Sequence, residues 1–144
     1  MTKEAAFWDD LRKLLPPDIH YDRIESDTSP GHPDIRYTLD GVTGTIELKS
    51  TKRPAAKYPF SGKDGLRKSQ IRWIEREMRA GGFVLLALRC GNINYLLEAG
   101  VYYDELDKMA LKDISRVSDF SWVSGKTPIE RARNGLRAVL MSKP

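Results

Sequence analysis

Asp40-Gly41, set between two segments of alternating polarity, constrains this chain more than any other feature. Asp-Gly between alternating apolar residues is a strong signal for a two-residue hairpin. In the segment before it, Ile35, Tyr37 and Leu39 point one way and Asp34, Arg36 and Thr38 the other. In the return segment, Val42 to Lys49, Ile46 and Leu48 share one face while Thr45, Glu47 and Lys49 share the other. With a two-residue loop Leu39 pairs with Val42, and counting back along both strands puts Asp34 directly opposite Glu47. Opposed side chains in an antiparallel pair have Cβ atoms about 4.5–5.5 Å apart. A three-residue loop with a bulge would shift the register and part the two acids.

The rest of the chain supplies partners for this hairpin. Residues 3–15 read as a helix, with Phe7, Leu11, Leu14 and Leu15 on one face and Trp8 beside them, ended by Pro16-Pro17. Ile19 to Ile24 reads as a strand and 25–33 as turn chemistry. Residues 50–65 read as a basic loop, and Leu66 to Ala80 as a helix stopped by Gly81-Gly82 in the manner of a left-handed C-cap. Phe83 to Leu88 is an apolar run suited to a strand buried on both faces. Gly91-Asn92 turns into an outer strand, Ile93 to Leu97. Residues 102–117 are expected to be helical, 118–126 a loop, and Ile129 to Met141 a final helix. The expected fold is α/β (α+β): a mixed central β-sheet flanked by helices, in the order αβββαββ with further C-terminal helices. At 144 residues one domain is expected, with its core over about 3–98 and a helical extension over 99–144.

Composition excludes several classes. No apolar run is long enough for a membrane span, and the opening residues lack the apolar region of a secretory signal. Cys90 is the sole cysteine, so neither an intrachain disulfide nor a multi-cysteine zinc site can form, and a reducing, cytoplasmic setting is expected. The net charge of +4 is unevenly spread. Lys49, Lys52, Arg53, Lys57, Lys63, Arg67, Lys68 and Arg72 crowd one stretch in which Asp64 is the sole acid, an electrostatic footprint for phosphates. A solvated loop and helix face would show the same pattern.

Two like charges directly opposed are destabilising unless something positive sits between them. A hard divalent cation, whose natural ligands are carboxylate oxygens, fills that role for Asp34 and Glu47. Lys49 shares their face and adds a positive charge. Metal, activated water and a cation beside the scissile group are the requirements of phosphodiester hydrolysis. The bland alternative is an exposed hairpin face on which Lys49 screens Glu47.

Pro33-Asp34 followed by Glu47-Leu48-Lys49, with twelve residues between the acids, resembles the PD-(D/E)XK nuclease pattern. Gly31-His32-Pro33-Asp34-Ile35 with Ile46-Glu47-Leu48-Lys49 looks like the core of its VRR-NUC branch and phage-borne relatives. Ser69-Gln70-Ile71-Arg72-Trp73 resembles that branch's Gln-x-x-Trp helix, and Gly81-Gly82-Phe83-Val84 its turn into the next strand. The resemblance implies that Asp34 and Glu47 bind one or two Mg2+ or Mn2+ ions with the Leu48 carbonyl. It implies that Lys49 orients water or stabilises the transition state, and that Gln70 touches the site or the phosphate. An acid from the first helix often completes such sites: Glu4 is the first candidate, Asp9 the second, and Glu25, before the Pro-Gly turn, a third. Lys52, Arg53, Lys57, Lys63, Arg67, Lys68 and Arg72 would contact nucleic acid.

Compact relatives resolve branched DNA such as Holliday junctions, often as homodimers, since two symmetric cuts need two sites. The phage-borne relatives imply recombination, packaging or genome degradation, and a host cytoplasm. A flap, single-strand or nicking nuclease is an alternative, as is a catalytically silent DNA-binding or inhibitor protein that keeps the fold. Arg23 and His32 are further candidates for substrate contact. Tyr58 and Phe60 suit either base stacking or loop anchoring. Phe7, Trp8 and Trp73 are expected in the core, Tyr102 and Tyr103 suit a subunit interface, and Arg131, Arg133 and Arg137 a basic helix face.

Overall fold

The computed structural model describes residues 3–24, 34–51, 57–61 and 65–144. The turn at Asp40-Gly41 forms as expected, with φ of 49° and 83° at its two central residues. Positive φ at both positions is the type I′ conformation, whose twist matches that of the flanking strands. It joins β2 (Ile35–Leu39) to β3 (Val42–Thr51), with Leu39 opposite Val42 and Ile35 opposite Ile46. Tyr37 pairs with Gly44 and covers it closely: a Cβ there would lie 2.6 Å from the Tyr37 hydroxyl. Glycine is therefore required at 44 by close approach of a neighbour, the usual reason for glycine inside a strand.

β1 (His20–Arg23) lies outside β2 at one edge of the sheet, antiparallel to it. From β3 the chain passes through α2 (Lys68–Arg79) and returns as β4 (Val84–Cys90), parallel to β3. α2 starts two residues later than the apolar pattern suggests. The Arg67 N–H donates to Gln70 Oε1 at 2.8 Å, half of a capping box, and this sets the first turn. The helix ends at Gly81, φ 89°, with the Gly82 N–H on the Glu77 carbonyl, a Schellman closure. β5 (Ile93–Glu98) follows antiparallel to β4, then β6 (Phe120–Val123) antiparallel to β5, and the six strands lie in sequence order β1-β2-β3-β4-β5-β6.

The sheet divides the core in two. On one side α1 (Lys3–Leu14) and α4 (Ile129–Leu140) bury Phe7, Leu11, Leu136 and Leu140 against Ile35, Ile46, Leu85 and Trp122. On the other, α2 and the segment 99–117 bury Ile74, Leu106, Met109 and Ile114 against Leu86, Leu88 and Leu97. Parallel partners share a face, so Glu47 and Lys49, paired with Leu86 and Leu88, belong to the α2 side.

Two expectations need correction. The expected loop over 118–126 contains β6 (Phe120–Val123), which adds to the free edge of β5 and buries Trp122 to 4 % exposure. Four residues flanked by Ser118, Asp119 and Ser124 carry too little periodicity to register, and the open edge of β5 selects the extended form. The expected helix over 102–117 is broken into a single 3-10 turn, Leu106–Lys108, and α3 (Leu111–Val117). Met109 and Ala110 are extended between them, and the Leu111 N–H bonds the Lys57 carbonyl instead of continuing a helix. Residues 99–144 therefore are not wholly helical. Among the described residues, no helix is long and apolar enough to cross a membrane.

Candidate active site

The β2–β3 register ends at Ile35 opposite Ile46, while β3 runs on to Thr51 beside β4. Asp34 is the first residue past that ladder and Glu47 its counterpart on β3. Ile35–Ile46 is a hydrogen-bonded pair of the hairpin, so the next position is a non-hydrogen-bonded one, where side chains come closest. Asp34 uses this opening: its Oδ2 accepts the Leu48 N–H at 2.8 Å, taking the place of a β2 carbonyl. The N–H and C=O of one strand residue point to the same side, so the Leu48 carbonyl faces the Asp34 side of β3.

Glu47 is 3 % exposed. Its Oε1 accepts from Gln70 Nε2 at 2.6 Å. Gln70 is itself buried, and its amide orientation is set because its oxygen is engaged by the Arg67 N–H. The turn that starts α2 thus aims a donor at the carboxylate of β3. Burial, and next the charge of Asp34, push the Glu47 carboxyl well above the usual range, while Lys49 pulls the other way. A buried carboxylate facing a second one holds a proton or requires a cation.

Lys49, with its side chain 12 % exposed, places Nζ 3.9 Å from Glu4 Oε1 on the first turn of α1. Partial burial raises the Glu4 carboxyl; Lys49 opposes this, and Asp34 adds to it. Glu4, the first candidate from α1, therefore lies in the field of the site. Asp9 does not: it is exposed and holds Arg12 and Lys13. Glu25, His32, Lys52, Arg53 and Lys63 lie outside the described residues. Lys57, Arg67, Lys68 and Arg72 are all exposed, with Arg67 and Lys68 at the start of α2 beside Gln70.

Among the described residues, no three His, Cys, Asp or Glu side chains are placed together to hold a metal ion. Glu4 pairs with Lys49 and does not join the other two acids. The donor set of Asp34, Glu47 and the Leu48 carbonyl nevertheless fits magnesium, which keeps several of its waters and takes one or two carboxylates.

Of the other sequence candidates, Phe60 is fully buried and anchors the basic segment, with the Leu66 N–H on its carbonyl. Tyr58 is 47 % exposed, with Lys57 Nζ 5.7 Å from its ring centroid. Arg137 is paired with Asp18, and Arg133 donates to the Lys13 carbonyl, so these two tie α4 to the end of α1. Cys90 is buried, with its thiol pushed up by burial. Arg89 was missed in the sequence. Its guanidinium joins Asp10, Asn94 and Ser124 and lies 4.6 Å from the Phe7 ring centroid. It closes the sheet over α1 on the face opposite Lys49, and no local pattern marks it.

The fold is similar to that of Hjc, a Holliday junction resolvase from the hyperthermophilic archaeon Archaeoglobus fulgidus. The TM-score is 0.53 at 16 % sequence identity, over 78 % of this chain and 88 % of that one. No protein-family model matches this chain, and no curated protein does.

Proposed function

We propose that this chain is a divalent-metal-dependent endodeoxyribonuclease of the PD-(D/E)XK kind that acts on branched DNA. The observation that carries the proposal is the buried Glu47 carboxylate on β3 facing the half-buried Asp34, with Lys49 on the same strand and face as Glu47. A hydrophobic sheet has no structural need for two facing acids, and burying them costs stability. The likeness of fold to a Holliday junction resolvase supports the choice of branched DNA. The motif residues Asp34, Glu47, Lys49 and Gln70 support the VRR-NUC branch in particular.

In this reading Asp34, Glu47 and the Leu48 carbonyl hold Mg2+ or Mn2+, which supplies Lewis acidity and lowers the pKa of water. Gln70 keeps Glu47 oriented through its 2.6 Å hydrogen bond. Lys49 presents its ammonium to the scissile phosphate, where negative charge grows in the transition state. Glu4, beside Lys49, holds that ammonium in place. Lys57, Arg67, Lys68 and Arg72, with Lys52, Arg53 and Lys63, bind the phosphates on either side. A homodimer related by a two-fold axis would deliver paired cuts across a junction.

The test is cleavage of labelled four-way junction, flap, single-stranded and duplex DNA with magnesium or manganese, alongside Asp34→Asn and Lys49→Ala. Symmetric metal-dependent junction cutting, lost in both variants, is expected. Cutting confined to flaps or single strands would keep the nuclease and discard the resolvase. Binding without cutting of any substrate would identify a silent nuclease fold.

A further inference from the structure

Trp8, Tyr21 and Arg23 form a cluster that the reaction proposed above does not use. Trp8 follows Glu4 by four residues on α1, so both lie on one stripe of the helix, about 6 Å apart along its axis. Tyr21 and Arg23 pair with Tyr37 and Ile35, which places them on the face of β1 turned toward α1. The Trp8 and Tyr21 rings meet edge to face, with centroids 5.4 Å apart. The Arg23 guanidinium lies 5.5 Å from the Trp8 centroid.

This cluster sits at an open margin of the protein. All four residues of β1 are exposed, and Tyr21 is 38 % exposed. Trp8 is half-buried, resting on the α1-side core without entering it. Its sequence neighbour Phe7 is the one that is fully buried. The cluster adjoins the site through α1: Glu4, one turn before Trp8, lies 3.9 Å from the Lys49 ammonium. An aromatic pair with an arginine at an exposed edge, one helical turn from the Glu4–Lys49 pair, is the equipment of single-strand recognition. Every base offers a face to stack on an aromatic ring, whatever its identity. An exposed arginine over indole is held weakly enough to move to a phosphate.

We propose that Trp8 and Tyr21 form a stacking platform for one unpaired nucleobase of the strand being cut, with Arg23 taking its phosphate. The proposal rests on the nuclease reading and deepens it. Plain duplex has no unpaired base to offer, whereas a branch point does. The platform would therefore favour substrates that expose a nucleotide beside the scissile bond.

The experiment measures equilibrium binding, with a chelator present so that nothing is cut, to a DNA duplex with a short unpaired segment. Each unpaired nucleotide is replaced in turn by an abasic one. For the wild type, one position should lose about ten-fold in affinity when its base is removed. Trp8→Leu should lose about as much on intact DNA and nothing further at that abasic position, and Trp8→Phe should recover most of the effect. Tyr21→Ser, on the exposed edge strand, reads the same coupling should Trp8→Leu fail to fold. Equal abasic losses in wild type and both variants would overturn the platform. Cleavage of the same DNA with magnesium is scored separately. Cutting without base coupling would sink the platform alone. Coupling without cutting would sink the nuclease reading and leave a single-strand binding site.

Discussion

Glu47 binds its proton more tightly in the folded chain than in the unfolded one, because burial and the neighbouring Asp34 both oppose its charge. For an acid whose pKa is raised on folding, the stabilising contribution is complete below the unfolded value. It is lost as pH rises through the folded value. Without metal, the wild type should therefore lose thermal stability between about pH 4.3, the ordinary glutamate range, and the raised folded value. Glu47→Gln keeps an acceptor for Gln70 but cannot ionise. In chelator at pH 8 it should melt above the wild type, and its Tm should depend less on pH. A variant that melts below the wild type at pH 8 would contradict this account. Adding magnesium should raise the Tm of the wild type and not that of Glu47→Gln, since a ligand that binds only the native state stabilises it. Lys49→Ala should cut catalysis by about 10²–10³-fold, the usual loss for one charge-stabilising donor. The adjacency of Asp34 and Glu47, with Lys49 on the same face, was legible in the sequence because a hairpin converts spacing directly into adjacency. The pairing of Glu4 with Lys49 was not, because it depends on how α1 crosses the sheet.

At the scale of elements, the hairpin is locked to the last helix through one tyrosine. Tyr37 is 1 % exposed, covers Gly44, and donates its hydroxyl to the Leu140 carbonyl at 2.7 Å. Gly44→Ala would drive a methyl group into that ring and pull the hydroxyl from its acceptor. We expect it to destabilise the protein by about 1–3 kcal/mol, the range for overpacking, although alanine suits a strand slightly better than glycine. Tyr37→Phe should cost about 1 kcal/mol for the lost buried hydrogen bond. In the double variant the two losses should fall short of their sum, because both act on one contact. Denaturant titration of the four proteins measures this, and strict additivity would mean that the ring does not couple them. The two strands and their register could be read from alternation and from Asp40-Gly41. The contact with α4 could not, since Tyr37 and Leu140 are far apart in sequence and no periodicity relates them.

For the whole molecule, the α1-side core is completed from the C-terminal end of the chain. Trp122, Ala132, Leu136, Val139 and Leu140 pack in one cluster with Phe7, Leu11, Ile35 and Ile46. A chain cut after Glu98 would expose that surface and leave β5 with an open edge. It should show no cooperative melting transition, and a sharp transition would show that the core closes without residues 99–144. Charge also acts at this scale. If Lys57, Arg67, Lys68 and Arg72 meet phosphates, each changed to Ala should weaken DNA binding on all sequences. Each should also reduce the slope of log affinity against log salt by about one. A slope unchanged in all four would place the phosphate contacts elsewhere.

What the sequence determined by itself was local: the hairpin, its register, the acids it brings face to face, the helix that follows, and the stop at Gly81. Each depends on turn chemistry or periodicity within a few residues, which physical rules read directly. The tertiary structure decided the rest. Phe120–Val123 became a strand because β5 offered an edge. Residues 102–117 broke in two because Met109 and Ile114 had to reach the sheet. Trp8 stayed at the margin because Phe7 took the core. These outcomes turn on which surfaces are left to cover once the sheet has formed, and no segment carries that information alone.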